Sequence, residues 1–367
     1  MKFIIRLLTV VALLVPTCSL SVAGPQAQPQ AESKIITFDA PGGGTASGQG
    51  TVPRSISPIG EITGEYYDSH QAVHGFVRAA DGTIATLDVP GASTAIGQGT
   101  FPKSINPSGE TAGFYYDASH VVTRGFVRDR NGVITTFDGA LPMCINTRGQ
   151  TTGTDSGRHG FVRDSDGTIT TFDAGPIGTF PQSINPSGEI TGYYADLGVM
   201  AHGFLRDHDG NITTFNVGLN NPTFPTSINE KGVITGFYSA SSSMNHGFVR
   251  EKGGKITPFD AGPFDTMATS INPSGEITGY FFGANKLAQG FMRAAKGNIV
   301  AFETLGSGGP SFGDGTLPQS INPGREITGF YTDAIGSYHG FLRIPHPDKE
   351  SKDKTDGERG KDPERPE

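Results

Sequence analysis

Short apolar runs, each closed by a cluster of Gly, Pro, Asn or Asp, alternate along this chain from about residue 34 to about residue 344. No window keeps a helical period, so the pattern predicts strands and almost no helix. Four such runs make one phrase: an apolar run ending in an acid, then Ser-Ile-Asn, then Glu-Ile-Thr-Gly with an aromatic residue, then His-Gly-Phe-Val-Arg. SISPIGEITG (55–64), SINPSGETAG (104–113), CINTRGQTTG (144–153), SINPSGEITG (183–192), SINEKGVITG (227–236), SINPSGEITG (270–279) and SINPGREITG (320–329) align without gaps. Successive copies start 49, 40, 39, 44, 43 and 50 residues apart. A period in the forties with four strand-like runs per unit predicts a propeller blade.

Turn chemistry fixes the connections within a unit. In Asn-Pro-Ser-Gly the Pro presets the second position of a type I turn and Gly takes the positive-φ position, so Ser-Ile-Asn (strand A) hairpins into Ile-Thr-Gly (strand B). Asp-Ser-Asp-Gly (164–167) and Asp-His-Asp-Gly (207–210) turn Gly-Phe-Val-Arg (strand C) into Ile-Thr-Thr-Phe-Asp (strand D). The chain begins with a D strand (35–39) and finishes with a C strand (339–343). Pairing these two completes the last blade and removes a raw sheet edge. The expected fold is all-β: a closed seven-bladed β-propeller of four-stranded antiparallel blades over 34–344.

The flanks read differently. Residues 1–23 carry Lys2 and Arg6, an apolar stretch broken by Pro16, and small residues at Ser21 and Ala23, which predicts a secretory signal peptide cut after Ala23. Cys18 raises a lipoprotein alternative, to which the preceding Val-Pro-Thr is a poor match. Residues 24–33 read as a Pro/Gln/Ala linker, and 345–367 as a mixed-charge tail expected to be disordered. Loss of the signal would move the formal net charge from −8 to −10. An acidic exported chain without a basic stripe argues against nucleic-acid partners and against anionic membrane surfaces, and no membrane insertion is expected once the signal is removed. Cys144 replaces the first Ser of the phrase; it is expected to be a small buried strand residue, with an intermolecular disulfide or a reactive thiol as the alternative.

The run HGFVR, the Gly turn, ITTFD and SINPSGEITGYY resemble the extracellular HAF-repeat family over about 34–344. Gly stands for that family's middle Ala, and Arg124 and Gln289 replace His in two copies. The resemblance implies an exported propeller-like protein and no shared catalytic site. Runs such as GTITTFD also resemble streptogramin lyase blades, but the aromatic-rich companion strand is missing and the chain has no Trp.

Repetition sorts the candidate chemistry. Arg closes strand C in all seven copies, and an acid closes strand D in six, Asn216 standing in the other. Residues needed once by a site are not expected seven times, so hydrogen bonds or ion pairs between blades are expected of them. One His per blade, as in His74 or His339, cannot converge on a metal and should bond within its blade. Nine of the ten Tyr follow the Gly of strand B, which suits blade packing, with aromatic platforms for sugars as the alternative.

Departures between copies should mark a site. The D–A loops are longest before blades 1 (40–54), 2 (89–103) and 7 (304–319), whereas blade 3 is pared down. They share one face with the B–C loops, where Tyr67, Asp68 and His70 of blade 1 stand beside Tyr116, Asp117 and His120 of blade 2. These six are the candidate ligand-binding residues; solvated loop positions left by a blade duplication are the plainer account. No cofactor, no metal and a monomer are expected. The reading is an exported binding or interaction module for a glycan or protein, with two alternatives. One is a propeller lyase or hydrolase with a polar or metal site on the blade 1–2 loops; the other is a structural envelope or matrix component.

Overall fold

The computed structural model describes residues 33–118, 123–240 and 244–346. Every regular element among them is a strand, 28 in all, and they form seven four-stranded antiparallel blades. Blade 1 is Gly50–Ile56, Ile62–Tyr67, Val73–Arg78 and Ile84–Leu87, taken as A to D. Blade 7 is Thr316–Ile321, Ile327–Thr332 and Tyr338–Ile344, with the N-terminal Lys34–Phe38 as its D strand. Ile35 pairs with Arg343 and Phe38 with Gly340, antiparallel, so the ring closes as its two ends required. The A strands of successive blades neighbour one another all the way round, blade 7 against blade 1 included, and therefore line the axis.

The phrase His-Gly-Phe-Val-Arg builds the outer half of each blade interface. Its Phe is fully buried in every copy, Phe76 and Phe341 among them, each worth roughly 1.5–3 kcal/mol of burial. In six copies this ring meets the D-strand Phe of the preceding blade edge-on, as Phe76 meets Phe38 at 6.3 Å between centroids. The Arg of the same strand covers that D-strand ring, Arg78 standing 4.9 Å over Phe38 and Arg250 4.8 Å over Phe215. The repeated Arg thus acts between blades as expected, but through a cation–π contact with an aromatic ring. The repeated acid acts within its blade: Asp88 takes His74 Nδ1 at 2.8 Å, and Asp260 takes His246 Nδ1 at 2.6 Å. That histidine stacks on the strand-B tyrosine, as His74 does on Tyr66.

Ser-Ile-Asn builds the inner half. Asn185 Nδ2 donates to Asn229 O of the next blade, and the same bond links Asn106 to Asn146, Asn146 to Asn185, Asn229 to Asn272, Asn272 to Asn322 and Asn322 to Ser57. The Ser hydroxyl accepts the Ile N–H of a neighbouring blade, as Ser55 does from Ile105 and Ser270 from Ile321. Cys144 lies in this inner layer, where burial pushes its thiol pKa up.

The three long D–A loops each lie over the preceding blade. Val73 N donates to Gln98 O, Tyr338 N to Gln49 O and Ala288 N to Asp314 O, all within 2.8 Å. Beside each bond a glycine forms a single parallel bridge: Gly99 with Val73, Gly50 with Tyr338 and Gly315 with Ala288. Gly99 has φ +144, and a Cβ on it would stand 1.8 Å from Val73 O. Gly99→Ala is therefore expected to unlatch the blade 2 loop from blade 1 at a cost of roughly 1–3 kcal/mol. Hydrogen exchange at the Val73 amide checks this; unchanged protection would remove the latch.

Candidate functional site at the inner rim of the loop face

Each A strand carries one β-bulge, a register shift across its Pro-x-Ser or the equivalent triplet. A bulge leaves one residue unpaired and re-aims its side chain. The bulged residues round the axis are Arg54, Lys103, Met143, Gln182, Thr226, Thr269 and Gln319. Just on the loop side of each bulge lies a cross-strand pair between A and B. Three of these pairs are stacked rings: Phe101–Phe114 at 5.0 Å, Phe180–Tyr193 at 4.9 Å and Phe224–Phe237 at 5.0 Å. Tyr193 also meets Phe224 of the next blade edge-on at 5.3 Å. Unlike the outer-interface phenylalanines, most of these rings are only half-buried.

Blades 6 and 7 keep one ring in the pair, blade 3 pairs Leu141 with Thr154, and blade 1 alone places a charge there, in Val52–Glu65. Glu65 Oε1 accepts Arg54 Nε at 2.8 Å and Nη2 at 2.5 Å, and Lys103 Nζ of blade 2 stands 3.5 Å away. The Glu65 side chain is 1% exposed, Arg54 30% and Lys103 14%. Burial works against the Glu65 carboxylate, but the charges of Arg54 and Lys103 outweigh it and hold its pKa below the ordinary range. Lys103 lies 5.3 Å over Phe101 and 5.4 Å over Phe114. Burial pushes its pKa down to about 8, against the pull of Glu65.

That position has a measurable consequence. An unfolded lysine titrates near 10.4, so between pH 8 and 10 the unfolded chain binds more protons at this site than the folded one. Stability therefore rises with pH across this window, the cost of the buried cation being relieved as it deprotonates. The expected gain from pH 8 to pH 10 is about 2 kcal/mol, from the Lys103 pKa of about 8. From about pH 9 upward the half-buried Tyr67, Tyr193 and Tyr280 act in the opposite sense, since burial raises each of them above the ordinary tyrosine value, so the Lys103 contribution is the difference between native protein and Lys103→Met. Urea unfolding of native protein and Lys103→Met across this range checks the assignment; a rise that survives in the variant would belong to another group.

The candidate residues named from sequence divide. Tyr67 is half-buried against Tyr338 of blade 7, ring centroids 6.2 Å apart, on the same face of strand B as Glu65. Tyr116 meets Phe101 and Phe114 edge-on in the corresponding place of blade 2. Both therefore belong to the rim. Asp68 shapes its own B–C turn, its Oδ1 accepting the amides of His70 and Ala72 at 2.8 and 2.9 Å. Asp196 and Asp333 do the same in blades 4 and 7. The hydrogen bonds of Asp68 hold its pKa down against burial, and its Oδ2 lies 3.6 Å from His74. His70 is 86% exposed, 3.7 Å from Asp68. Asp117 bonds Arg124 at 3.0 Å and lines, with Tyr115 and Val89, a surface cleft of about 440 Å³. His120 lies outside the described residues. No three His, Cys, Asp or Glu among the described residues are placed to hold a metal ion.

Arg54, Glu65 and Lys103 escaped the sequence reading, although aligning the copies shows them. Glu65 is the one acid in the slot after the strand-B Gly, and Arg54 and Lys103 are the two cations in the slot before the A-strand Ser or Cys.

No family model and no curated protein matches the chain. Among solved structures it resembles virginiamycin B lyase from Staphylococcus aureus at 15% identity and a TM-score of 0.56, over 85% of this chain and 100% of that one. It also resembles the β-propeller domain of the Trilobed protease from Pyrococcus furiosus, at 9% identity and a TM-score of 0.56, over 81% and 95%. A third likeness is to an acylaminoacyl peptidase from Pyrococcus horikoshii, at 9% identity and a TM-score of 0.53, over 81% and 49%. At such identities the likeness defines the fold class: this chain is a β-propeller whose solved neighbours include a lyase and peptidases. The Trilobed protease domain is described by an open velcro topology; here the N-terminal strand closes the ring.

Proposed function

We propose that the chain is an exported binding module of the HAF-repeat type whose ring is a rigid scaffold and whose inner rim on the loop face recognises a glycan or a protein. The observation that supports this most is the set of half-buried stacked rings beside the bulges, above all Phe180, Tyr193, Phe224 and Phe237. Flat apolar faces with a polar tip suit the faces of sugar rings and the side chains of a partner. A fold needing only packing at this level could have closed over these rings as it does over Phe76 and Phe126.

A second reading, a propeller lyase or hydrolase, draws on the likeness to virginiamycin B lyase and on the Asp68 carboxylate lying 3.6 and 3.7 Å from two histidines. One screen separates the two. A soluble glycan panel is tested for a rise in melting temperature with native protein, Tyr193→Leu/Phe224→Leu and Asp68→Ala/His70→Ala, since a ligand of the native state must stabilise it. The binding reading expects a shift lost with the rim substitutions and kept with the loop pair. A shift kept in the rim variant and lost in the loop pair, with turnover of the glycan, would transfer the function to the B–C loops.

A further inference from the structure

The junction of blades 1 and 2 departs from the repeat at three levels. Leu87 replaces the D-strand Phe, leaving Arg128 without the ring that six other arginines cover. Ser57 replaces the Asn that would reach blade 2. Above them the aromatic rim gives way to Glu65 with Arg54 and Lys103. Local rules broken together at one place, without a gain in packing, mark a functional site.

The trio carries two cations and one anion, so its net charge is positive within an acidic chain. Arg54 spends Nε and Nη2 on a single carboxylate oxygen, and its side chain still meets solvent. Lys103 is held to the same oxygen at only 3.5 Å, long for a charge-assisted bond. Its four-carbon stem can swing the ammonium toward a ligand. Glu65 Oε2 is buried and has no hydrogen-bond partner. A ligand hydroxyl that reached it would supply the missing partner. Tyr67 and Tyr338 stand next to the trio and offer ring faces.

Resting on the rim as a recognition surface, the geometry points to a carboxylate-bearing sugar as the ligand, its carboxylate held between Arg54 and Lys103, a neighbouring hydroxyl on Glu65 Oε2 and a sugar face against Tyr67. Guanidinium and ammonium supply the paired donors that a carboxylate needs. A buried acceptor that would otherwise stay unpaired discriminates against ligands lacking the hydroxyl.

The test is calorimetry of the full chain with trigalacturonate and with neutral trigalactose as probes, and with inorganic phosphate as competitor. It uses native protein, Tyr193→Leu/Phe224→Leu, and a triple variant, Arg54→Gln/Glu65→Phe/Lys103→Gln. The triple variant installs the Gln and Phe found at blade 7 in Gln319 and Phe330. At pH 7 native protein is expected to prefer the acidic trisaccharide at least tenfold. The triple variant should lose that preference while keeping its melting temperature and circular dichroism. The preference should also fall between pH 7 and 9 as Lys103, facing Glu65 and Arg54 with Tyr67 and Tyr338 beside them, loses its proton. A folded triple variant that keeps the preference would overturn this site and leave the rim reading intact. So would equal binding of the two sugars that only the rim variant abolishes. Phosphate displacing trigalacturonate at equal concentration would reduce the site to a bare anion site and overturn the sugar assignment. Binding of neither sugar to native protein would overturn the acidic-sugar site and leave protein recognition at the rim standing.

Discussion

Glu65→Ala is expected to destabilise the fold by about 3–5 kcal/mol, as removal of one partner from a buried charge group does. The variant leaves Arg54 and Lys103 facing each other with side chains only 30% and 14% exposed and no carboxylate between them. Two desolvated like charges then replace a compensated trio, and the loss of packing adds to it. Lys103→Met should act the other way at pH 7. The folded protein holds this lysine at a pKa of about 8, so its charged form is a burden that methionine, already present as Met143 in blade 3, does not carry. The triple substitution Arg54→Gln/Glu65→Phe/Lys103→Gln should bring stability back to within about 1 kcal/mol of native, since replacing a whole buried charge group by packed side chains is often neutral or better. Urea unfolding of the four proteins decides it. A Glu65→Ala cost below about 1 kcal/mol would mean that water reaches and screens the trio.

The expected order, with the single truncation worse than removal of the whole group, is also an argument about purpose. Five blades show that this rim position is built readily from aromatic residues: Phe114, Tyr193, Phe237, Tyr280 and Phe330. Glu65 stands in that aromatic slot, and Lys103, whose charge opposes folding at neutral pH, stands in the bulge slot that other blades fill with Met143, Gln182, Thr226, Thr269 and Gln319. Stability given up at one position of a repeat, while its equivalents do without, is what a binding site looks like when the scaffold around it is periodic.

The ring itself was legible because a β-propeller writes its architecture into period and turn residues. The strand ends at 35–39 and 339–343 even announced the closing pair, and Ile35 lies opposite Arg343 as that pairing required. The partners of the repeated side chains were harder to read. Repetition says that Arg78 and Asp88 are structural, but both could satisfy one another on paper. Only three-dimensional placement puts Arg78 over Phe38 of blade 7 and gives Asp88 to His74 of its own blade. The bulge was hidden for a different reason: one extra residue breaks the alternation midway, but strands of seven and six residues are too short for the break to show in sequence, and it turns Arg54 and Lys103 toward Glu65. Attention to loop length found Tyr67 and Tyr116, which do reach the rim, and also Asp68, whose carboxylate is taken up in shaping its turn.

Asn185→Ala is expected to cost about 2–4 kcal/mol, because one buried side chain makes four hydrogen bonds, each worth about 1 kcal/mol and more where the group left behind is buried, as Asn229 O is. Its Oδ1 accepts the amides of Ser187 and Glu189 and so holds the A–B turn; its Nδ2 donates to Glu189 Oε2 at 2.7 Å and to Asn229 O of the next blade at 3.1 Å. Turn and blade interface are thereby fixed by the same amide, and losing it loosens both. Blade 1 supplies the reverse experiment. Ser57 accepts the Glu61 amide through its hydroxyl but has no group to reach blade 2, and Glu61 Oε2 is buried without a hydrogen-bond partner. In blades 2, 4, 6 and 7 the corresponding carboxylate receives the Asn amide, as Glu110 does from Asn106. Ser57→Asn should therefore pair Glu61, complete the belt onto Asn106 O and raise stability by about 1–2 kcal/mol. Denaturant midpoints of the two variants test the belt from both sides. If the belt joins blade to blade, Asn185→Ala must weaken the ring and Ser57→Asn must strengthen it; a neutral Ser57→Asn would confine the asparagine's role to its own turn.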